Sequence, residues 1–251
     1  LKNRELIAAY SQREFQATHR GTYLGLAWTI LSPLIMLALF TLVFGHIFHG
    51  RFTQNVEETP ADFALALYIG LGFFNCFAQS MGSASSMVFS NSIYVKSLAF
   101  PLEILSVSNV LNVLFNLMIG LGLSIVAFLV MYGYLHLTLI VLPLYVVCIA
   151  LISLGVSWFL ASLAVFVRDV ASIIPPLSLI LMFSSSVFFP LSSVPERIRW
   201  VLEWNPLAVI IEQARACFLY GRWPDLSSLV FVLIISVLIA IVQPLASVRV
   251  A

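Results

Sequence analysis

Charged side chains are scarce in this 251-residue sequence: 12 residues are Lys or Arg and 11 are Asp or Glu, together 9% of the chain. A typical soluble domain is about 25% charged, whereas 61% of this sequence is hydrophobic. That balance excludes a soluble globular protein and predicts an integral membrane protein. A net charge of only +1 gives no reason to expect nucleic-acid binding.

Cysteine and lysine are also rare. The three cysteines, Cys76, Cys148 and Cys217, are widely scattered, which argues against a disulfide framework and favours small buried hydrophobic side chains. Lys2 and Lys96 are the only lysines, and no GxxxxGK[ST] phosphate-binding motif is present. The chain therefore has no P-loop of its own, and uphill transport would need energy from another polypeptide.

Long stretches without Lys, Arg, Asp or Glu locate the membrane spans, because a helix needs about 20 apolar residues to cross a bilayer. The longest, Ile104 to Val167, is long enough for two helices that separate near Gly133 and His136. We predict an all-α integral membrane protein with an N-terminal amphipathic interface helix over residues 1–22 and a transmembrane domain over residues 23–251. The six predicted spans are residues 24–48, 63–88, 106–132, 138–166, 171–191 and 226–248.

Lys and Arg near the span ends set the orientation, since cytoplasmic segments carry the excess of these residues. With the N-terminus inside, the inner segments hold seven basic residues and the outer segments five. Both termini are therefore predicted to be cytoplasmic. No signal-peptide pattern opens the sequence, and because it begins at Leu1 rather than at Met, we expect a short native leader or tail beyond it.

A charged segment separates the last two predicted spans. Ser193 and Glu196 have the spacing of a capping box for a short helix, and Asn205 with Pro206 forms an N-cap and N1 pair for a second helix. The apolar stripe of the second helix consists of Leu207, Ile210, Ile211, Ala214 and Phe218. At about 1.5 Å per residue neither helix can cross the bilayer. We therefore predict a re-entrant helix pair over residues 193–221.

The predicted spans contain no Asp, Glu, Lys or Arg. Ion-driven transporters place ionisable groups or broken helices near the membrane midplane, so this sequence lacks the chemistry for proton or sodium coupling. His46 and His49 are one turn apart and could begin a zinc site, but no clear third ligand accompanies them. Interfacial histidine is the better interpretation, and we expect no metal or cofactor on this chain.

The link from residue 90 to residue 105 is the candidate contact for a partner protein. It mixes a cation, an anion, apolar side chains and a proline that can start a helix. The residues concerned are Tyr94, Lys96, Phe100, Pro101 and Glu103. Such a mixture suits a short helix inserted into a partner's groove, and an ordinary interfacial turn is the alternative.

Two segments resemble ABC-2-type export permeases: YLGLAWTILSPL, residues 23 to 34, and FFPLSSVPERIRWVLEWNPLAVIIEQAR, residues 188 to 215. The resemblance is closest to the permease subunits that export lipid-linked polysaccharides such as O-antigen, capsule and teichoic acid. It implies a homodimer of six-span subunits in the bacterial inner membrane, with the polymer passing along the dimer interface. Two ATP-binding subunits would carry ATP and Mg.

The same resemblance gives several residues expected roles. The loop from Tyr94 to Glu103 and the lead helix would contact the ATP-binding subunit. The basic side chains Arg4, Arg13 and Arg20 already suit the inner interface near anionic head groups, and the resemblance adds that Arg13 and Arg20 could meet the incoming pyrophosphate. The re-entrant pair would gate the outer mouth through Glu196, Arg197, Arg199, Trp200, Glu203, Asn205 and Pro206.

Sugar rings stack on aromatic faces while their hydroxyls need polar partners, so aromatic and hydroxyl side chains are expected along the polymer route. The candidates are Phe40, Phe44, Phe183, Ser185, Phe188 and Phe189. For each phenylalanine, the alternative is a side chain that faces lipid or packs between helices.

Three other functions stay open at this point. A drug or small-lipid exporter of the same fold would have a narrow apolar pocket instead of a wide aromatic and polar channel. A membrane-embedded lipid-processing enzyme would need clustered Asp, Glu or His at a membrane surface. A passive channel would need no ATP-binding partner.

Overall fold

The structure, a computed structural model, describes residues 11–12, 27–43, 59–90, 103–167 and 169–247. Every regular element in these ranges is helical and none is a β-strand, which confirms the predicted all-α class. The helices are α1 (Trp28–Phe40), α2 (Pro60–Ser90), α3 (Glu103–Tyr132), α4 (Leu142–Phe166), α5 (Val170–Ser184), α6 (Glu196–Glu203), α7 (Pro206–Leu219) and α8 (Leu226–Ser247). Short 3₁₀ turns over Leu137–Val141 and Leu191–Ser193 precede α4 and α6.

Among the described residues, three helical stretches are long and apolar enough to cross a membrane: Pro60–Ser86, Ile104–Tyr132 and Leu137–Phe166. Shorter apolar stretches cover Trp28–Val43, Val170–Ser184 and Leu226–Ile241. The composition of these helices is that of an integral membrane protein, as the low charge content predicted.

Helix α5 ends earlier than the predicted span over residues 171–191. Its last residue is Ser184, and Ser186 has a left-handed backbone with a φ of 52°. An α-helix requires a negative φ at every residue, so the helix cannot continue through Ser186 and the chain changes direction there. The apolar character of the sequence continues beyond the turn, which is why a search for charge-free stretches extended the span too far.

Helix α2 lies at the centre of the bundle and packs against α1, α3, α4, α5 and α7, while α8 packs mainly against α4. The contact between α4 and α8 is close at Gly155, where a Cβ would lie 2.7 Å from the backbone oxygen of Ile239. Small residues allow helix backbones to approach in this way.

The start of α2 and the end of α3 lie at the same end of the bundle. Thr59 and Asp62 form a capping box, in which the Thr59 N–H donates to Asp62 Oδ2 at 2.9 Å and the Asp62 N–H donates to Thr59 Oγ1 at 3.3 Å. Tyr132 donates its hydroxyl to the same carboxylate at 2.6 Å. Gly133 then ends α3 with a φ of +74°, at the break that the sequence predicted.

Candidate functional site

Helix α6 presents the charged face of the helix pair, by which we mean α6 and α7. Its exposed polar and aromatic side chains are Glu196, Arg197, Trp200 and Glu203. Leu202 is buried, and Arg199 is half-buried and donates from Nη2 to the backbone oxygen of Val194 at 3.0 Å. The short helix is therefore anchored on one side and leaves its charges on the other.

The predicted capping box of Ser193 and Glu196 is wrong. Ser193 belongs to the preceding 3₁₀ turn, and the N-cap of α6 is Pro195, which has an extended backbone and makes no side-chain cap. Ser193 therefore lies too early to cap the helix. Glu196 is the first residue of α6, where its carboxylate suits the positive end of the helix dipole.

Asn205 caps α7, as predicted, and also ties the helix pair to α5. Its Oδ1 accepts a hydrogen bond from the backbone N–H of Leu207 at 3.0 Å. Its Nδ2 donates to the backbone oxygen of Ser184 at 2.8 Å and lies 3.4 Å from Ser185 Oγ. One amide side chain thus satisfies a free N–H at the start of α7 and a free carbonyl at the end of α5.

Helix α7 is almost entirely buried, and its predicted apolar stripe is confirmed. The buried stripe residues are Leu207, Ile210, Ile211, Ala214 and Phe218. The backbone oxygen of Cys217 accepts a hydrogen bond from Thr138 Oγ1 at 2.6 Å. Gly221 follows the helix with a φ of +59°, and a Cβ there would lie 2.9 Å from Cε1 of His136. These contacts dock α7 against the start of α4.

Arg215 of α7 is 3% exposed, and its guanidinium is surrounded by backbone carbonyls. Nε donates to Ala66 O at 2.7 Å and Nη1 donates to Ser186 O at 2.7 Å. Nη2 donates to the oxygen of Val187. Burying a charge is costly unless hydrogen bonds satisfy it, and here three carbonyls do so. Arg215 therefore joins three elements: α7, α2 and the turn after α5.

This role was not predicted from the sequence, in which Arg215 is one of the five outer basic residues. The predicted spans carry no Lys, Arg, Asp or Glu of their own, but Arg215 of α7 contacts Ala66, six residues into α2 and about 9 Å from its start. The signal was present: Arg215 follows Ile211 by four residues, which places it next to the apolar stripe.

Glu212 lies one turn before Arg215 on α7, where its carboxylate attracts the guanidinium. One carboxylate oxygen of Glu212, Oε2, is buried with no hydrogen-bond partner in the described part of the chain. The same part contains no group of three His, Cys, Asp or Glu side chains placed to hold a metal ion. His46 and His49 lie outside the described residues.

The described members of the predicted lining lie in two separate places in this structure. The rings of Phe183 and Phe188 lie 5.5 Å apart, and Phe183 and Phe189 line an apolar groove of about 380 Å³ against α6. Ser185 is fully buried and donates to Leu181 O at 2.6 Å. Phe40 lies elsewhere, in a cavity of about 460 Å³ between α1, α2 and α3.

Most of the predicted cytoplasmic site lies outside the described residues. These residues are Arg4, Arg13, Arg20, Tyr94, Lys96, Phe100 and Pro101, and the predicted channel-lining residue Phe44 also lies outside the described residues. Glu103 is described only as the first residue of α3. In the lead segment, residues 11 and 12 are helical. The roles proposed for all of these residues stay predictions.

Comparison with known proteins finds polysaccharide export permeases. A family model described as ABC-2 type transporter matches residues 5–219. The O-antigen export system permease protein RfbA of Myxococcus xanthus is 26% identical over 238 residues, 94% of this chain and 88% of that protein. The RfbA permease of Klebsiella pneumoniae is 23% identical over 86% of this chain and 81% of its own length. The polysialic acid transport protein KpsM of Escherichia coli is 22% identical over the same shares.

Proposed function

Because the chain belongs to the ABC-2 type transporter family, we propose that it is the transmembrane subunit of an ATP-driven exporter of a lipid-linked polysaccharide such as O-antigen. The family and the relatives are transport permeases, so the chain is a transport subunit and not an enzyme. Two copies would form a homodimer and two separate ATP-binding subunits would hold ATP and Mg. The polymer would cross the bacterial inner membrane along the interface between the copies.

The proposed subunit crosses the membrane six times, through α1, α2, α3, α4, α5 and α8, and both termini are cytoplasmic. Helix α5 has 15 residues, a length of about 22 Å, which is less than the roughly 30 Å of a bilayer core. The helix pair attaches where α5 stops. A re-entrant helix pair, α6 and α7, would therefore fill the outer part of the bilayer that α5 is too short to reach.

The observation that carries this proposal is the attachment of the helix pair to two spans by buried polar contacts. Asn205 holds the end of α5, and Arg215 holds both the turn after α5 and the backbone of α2. A movement of α2 or α5 would therefore displace the helix pair. The exposed charges of α6 would then face water or sugar at the outer mouth, which is the role expected of a gate.

The energy would enter at the opposite, cytoplasmic end. The loop from Tyr94 to Glu103 and the lead helix would contact the ATP-binding subunit. Arg13 and Arg20 would meet the pyrophosphate of the lipid carrier, because guanidinium groups bind phosphate oxygens in a bidentate manner. These roles follow from the family resemblance.

The direct test is co-purification with a P-loop ATPase, followed by ATP hydrolysis assays of the complex in nanodiscs. We expect lipid-linked O-antigen oligosaccharide to stimulate hydrolysis, and a partner whose P-loop lysine is replaced by alanine to give no stimulation. Stimulation by a drug or a simple lipid, but not by the polymer, would instead support a small-substrate exporter. Failure to isolate any ATPase complex would overturn the proposed function.

A further inference from the structure

Three amide side chains line the cavity between α1, α2 and α3. Asn75 and Gln79 lie one turn apart on α2, and Asn116 faces them from α3. All three are exposed, and none makes a hydrogen bond to another residue in the described part of the chain. We call this space the amide cavity. Its volume of about 460 Å³ falls within the range of roughly 300–1,000 Å³ that is typical of small-ligand sites.

The amides lie at one depth, near the middle of the apolar helices α2 and α3. Asn75 is 15 residues from the start of α2 and Asn116 is 16 residues before the end of α3, about 22 and 24 Å along their helices. The start of α2 and the end of α3 lie at the same level, because Asp62 and Tyr132 are hydrogen-bonded to each other there. An amide left without a partner in hydrocarbon costs several kcal/mol. A polar occupant of the cavity removes that cost.

The remaining walls supply aromatic rings and hydroxyls. Trp28 and Phe40 of α1 line the cavity together with Tyr68 of α2. Aromatic faces pack against the C–H faces of sugar rings, and amides both donate to and accept from sugar hydroxyls. An acyl or isoprenoid chain would fill the space but leave the amides unpaired, so the lining favours a hydroxylated ring over a lipid tail.

Charge narrows the choice of occupant further. Among the described residues that line the cavity, none is Lys, Arg, His, Asp or Glu. A carboxylate or phosphate would enter the apolar bundle with no opposite charge to pair with it, which is strongly unfavourable. Uncharged sugars avoid this cost.

We propose that the amide cavity binds uncharged sugar residues of the exported polymer, and that Asn75, Gln79 and Asn116 select neutral polymers over acidic ones. This inference rests on the proposed function, because a polysaccharide has to reach the bundle interior. It adds to that function a location for sugar binding and a substrate class, neutral glycan.

The test uses the complex of this chain with its ATPase in nanodiscs. Trp28 is kept as the only tryptophan of the complex: Trp158, Trp200, Trp204 and Trp223 of this chain, and any tryptophan of the ATPase, are replaced by phenylalanine. The probes are maltoheptaose, a neutral oligosaccharide, and an oligogalacturonate of the same length. We expect a saturable change in Trp28 fluorescence with maltoheptaose and none with the oligogalacturonate.

The triple variant Asn75→Leu/Gln79→Leu/Asn116→Leu should raise the maltoheptaose Kd roughly tenfold or more, because three hydrogen-bonding groups are lost. The matched control is Asn112→Leu, which changes an amide on α3 that does not line the cavity, and it should leave the Kd unchanged. An unchanged Kd in the triple variant, or equal binding of the acidic probe, would overturn the proposal.

Polymer-stimulated ATP hydrolysis separates this failure from failure of the proposed function. A wild-type complex that responds to polymer, with a triple variant that responds equally, refutes the amide cavity and leaves the exporter assignment intact. A wild-type complex that responds to no polymer refutes the exporter assignment, whatever maltoheptaose does.

Discussion

Gly70 of α2 and the guanidinium of Arg215 share one space. A Cβ on residue 70 would lie 2.8 Å from Cζ of Arg215 and nearer still to Nη2, which is closer than real Cβ contacts allow. The missing side chain of Gly70 therefore admits the charged group to its carbonyl partners. The helix pair, α2 and the turn after α5 are held together at this point.

Gly70→Ala should loosen that junction. The added methyl group displaces the guanidinium from the carbonyls of Ala66 and Val187, and hydrogen bonds to a charged group contribute about 1.5–3 kcal/mol each. We expect the free energy of unfolding to fall by about 2–4 kcal/mol. Denaturant unfolding of the purified protein in mild detergent measures it.

Gly82→Ala is the matched control on the same helix. A Cβ there meets nothing within 4 Å, and alanine has the higher helix propensity. The control should be as stable as the wild type or slightly more stable. If Gly70→Ala proved as stable as Gly82→Ala, the guanidinium would not depend on that space.

Substitutions of Arg215 should distinguish its charge from its shape. Arg215→Lys keeps the charge but cannot reproduce the planar fork that reaches three carbonyls, so we expect a loss of about 1–3 kcal/mol. Arg215→Met also removes every donor and leaves the carbonyls unpaired, and should cost more than the lysine variant. The readout is the same unfolding free energy, together with polymer export.

Arg222→Lys provides the comparison for these variants. Arg222 is exposed, and its guanidinium lies 5.7 Å from the ring centre of Tyr220, where a lysine can replace it. The Arg222→Lys variant should have the same free energy of unfolding as the wild type. An Arg215→Met protein with wild-type stability would show that the buried contacts contribute nothing to the junction.

Periodicity and special backbone positions allowed much of the fold to be predicted. The stripe from Leu207 to Phe218, the cap at Asn205 and the break at Gly133 each rest on local chemistry that acts over a few residues. These local predictions agree with the structure because the side-chain spacing and the backbone preference of the same residues favour the same conformation.

The parts that could not be predicted depend on contacts between distant residues. The turn at Ser186 follows an apolar run, and counting charges cannot detect where a helix stops inside such a run. The guanidinium of Arg215 occupies space that is free only because residue 70, 145 positions earlier in the chain, is glycine. The amides Asn75 and Asn116 carry no charge, so a search for ionisable groups in the spans passed over them.

Asp225 should make the start of α8 sensitive to acid. Its Oδ2 accepts hydrogen bonds from the hydroxyl of Ser227 and from the N–H and hydroxyl of Ser228 at 3.2 and 3.0 Å. The Ser227 hydroxyl first, and then the Ser228 N–H, lower the pKa of this exposed carboxyl. A lowered folded-state pKa means that the cap stabilises at neutral pH and is lost as the pH falls below the ordinary Asp value of about 4.

Hydrogen exchange over residues 226–230, corrected for intrinsic rates, measures this loss. Exchange should accelerate on acidification in the wild type, while Asp225→Asn, which keeps an oxygen acceptor but does not titrate, should show no such step. A similar step in the asparagine variant would assign the acid sensitivity to another group.

Asn205 combines two functions, and two substitutions separate them. Asn205→Ser keeps an oxygen that can cap α7 but removes the amide donor to Ser184, whereas Asn205→Ala removes both. We expect unfolding free energies lower by about 1 kcal/mol for serine and about 2 kcal/mol for alanine. If the tie to α5 transmits movement to the outer mouth, both variants should export less polymer. If the serine variant instead exports polymer almost as well as the wild type, Asn205 serves only as a helix cap. Movement would then have to reach the gate through Arg215 alone.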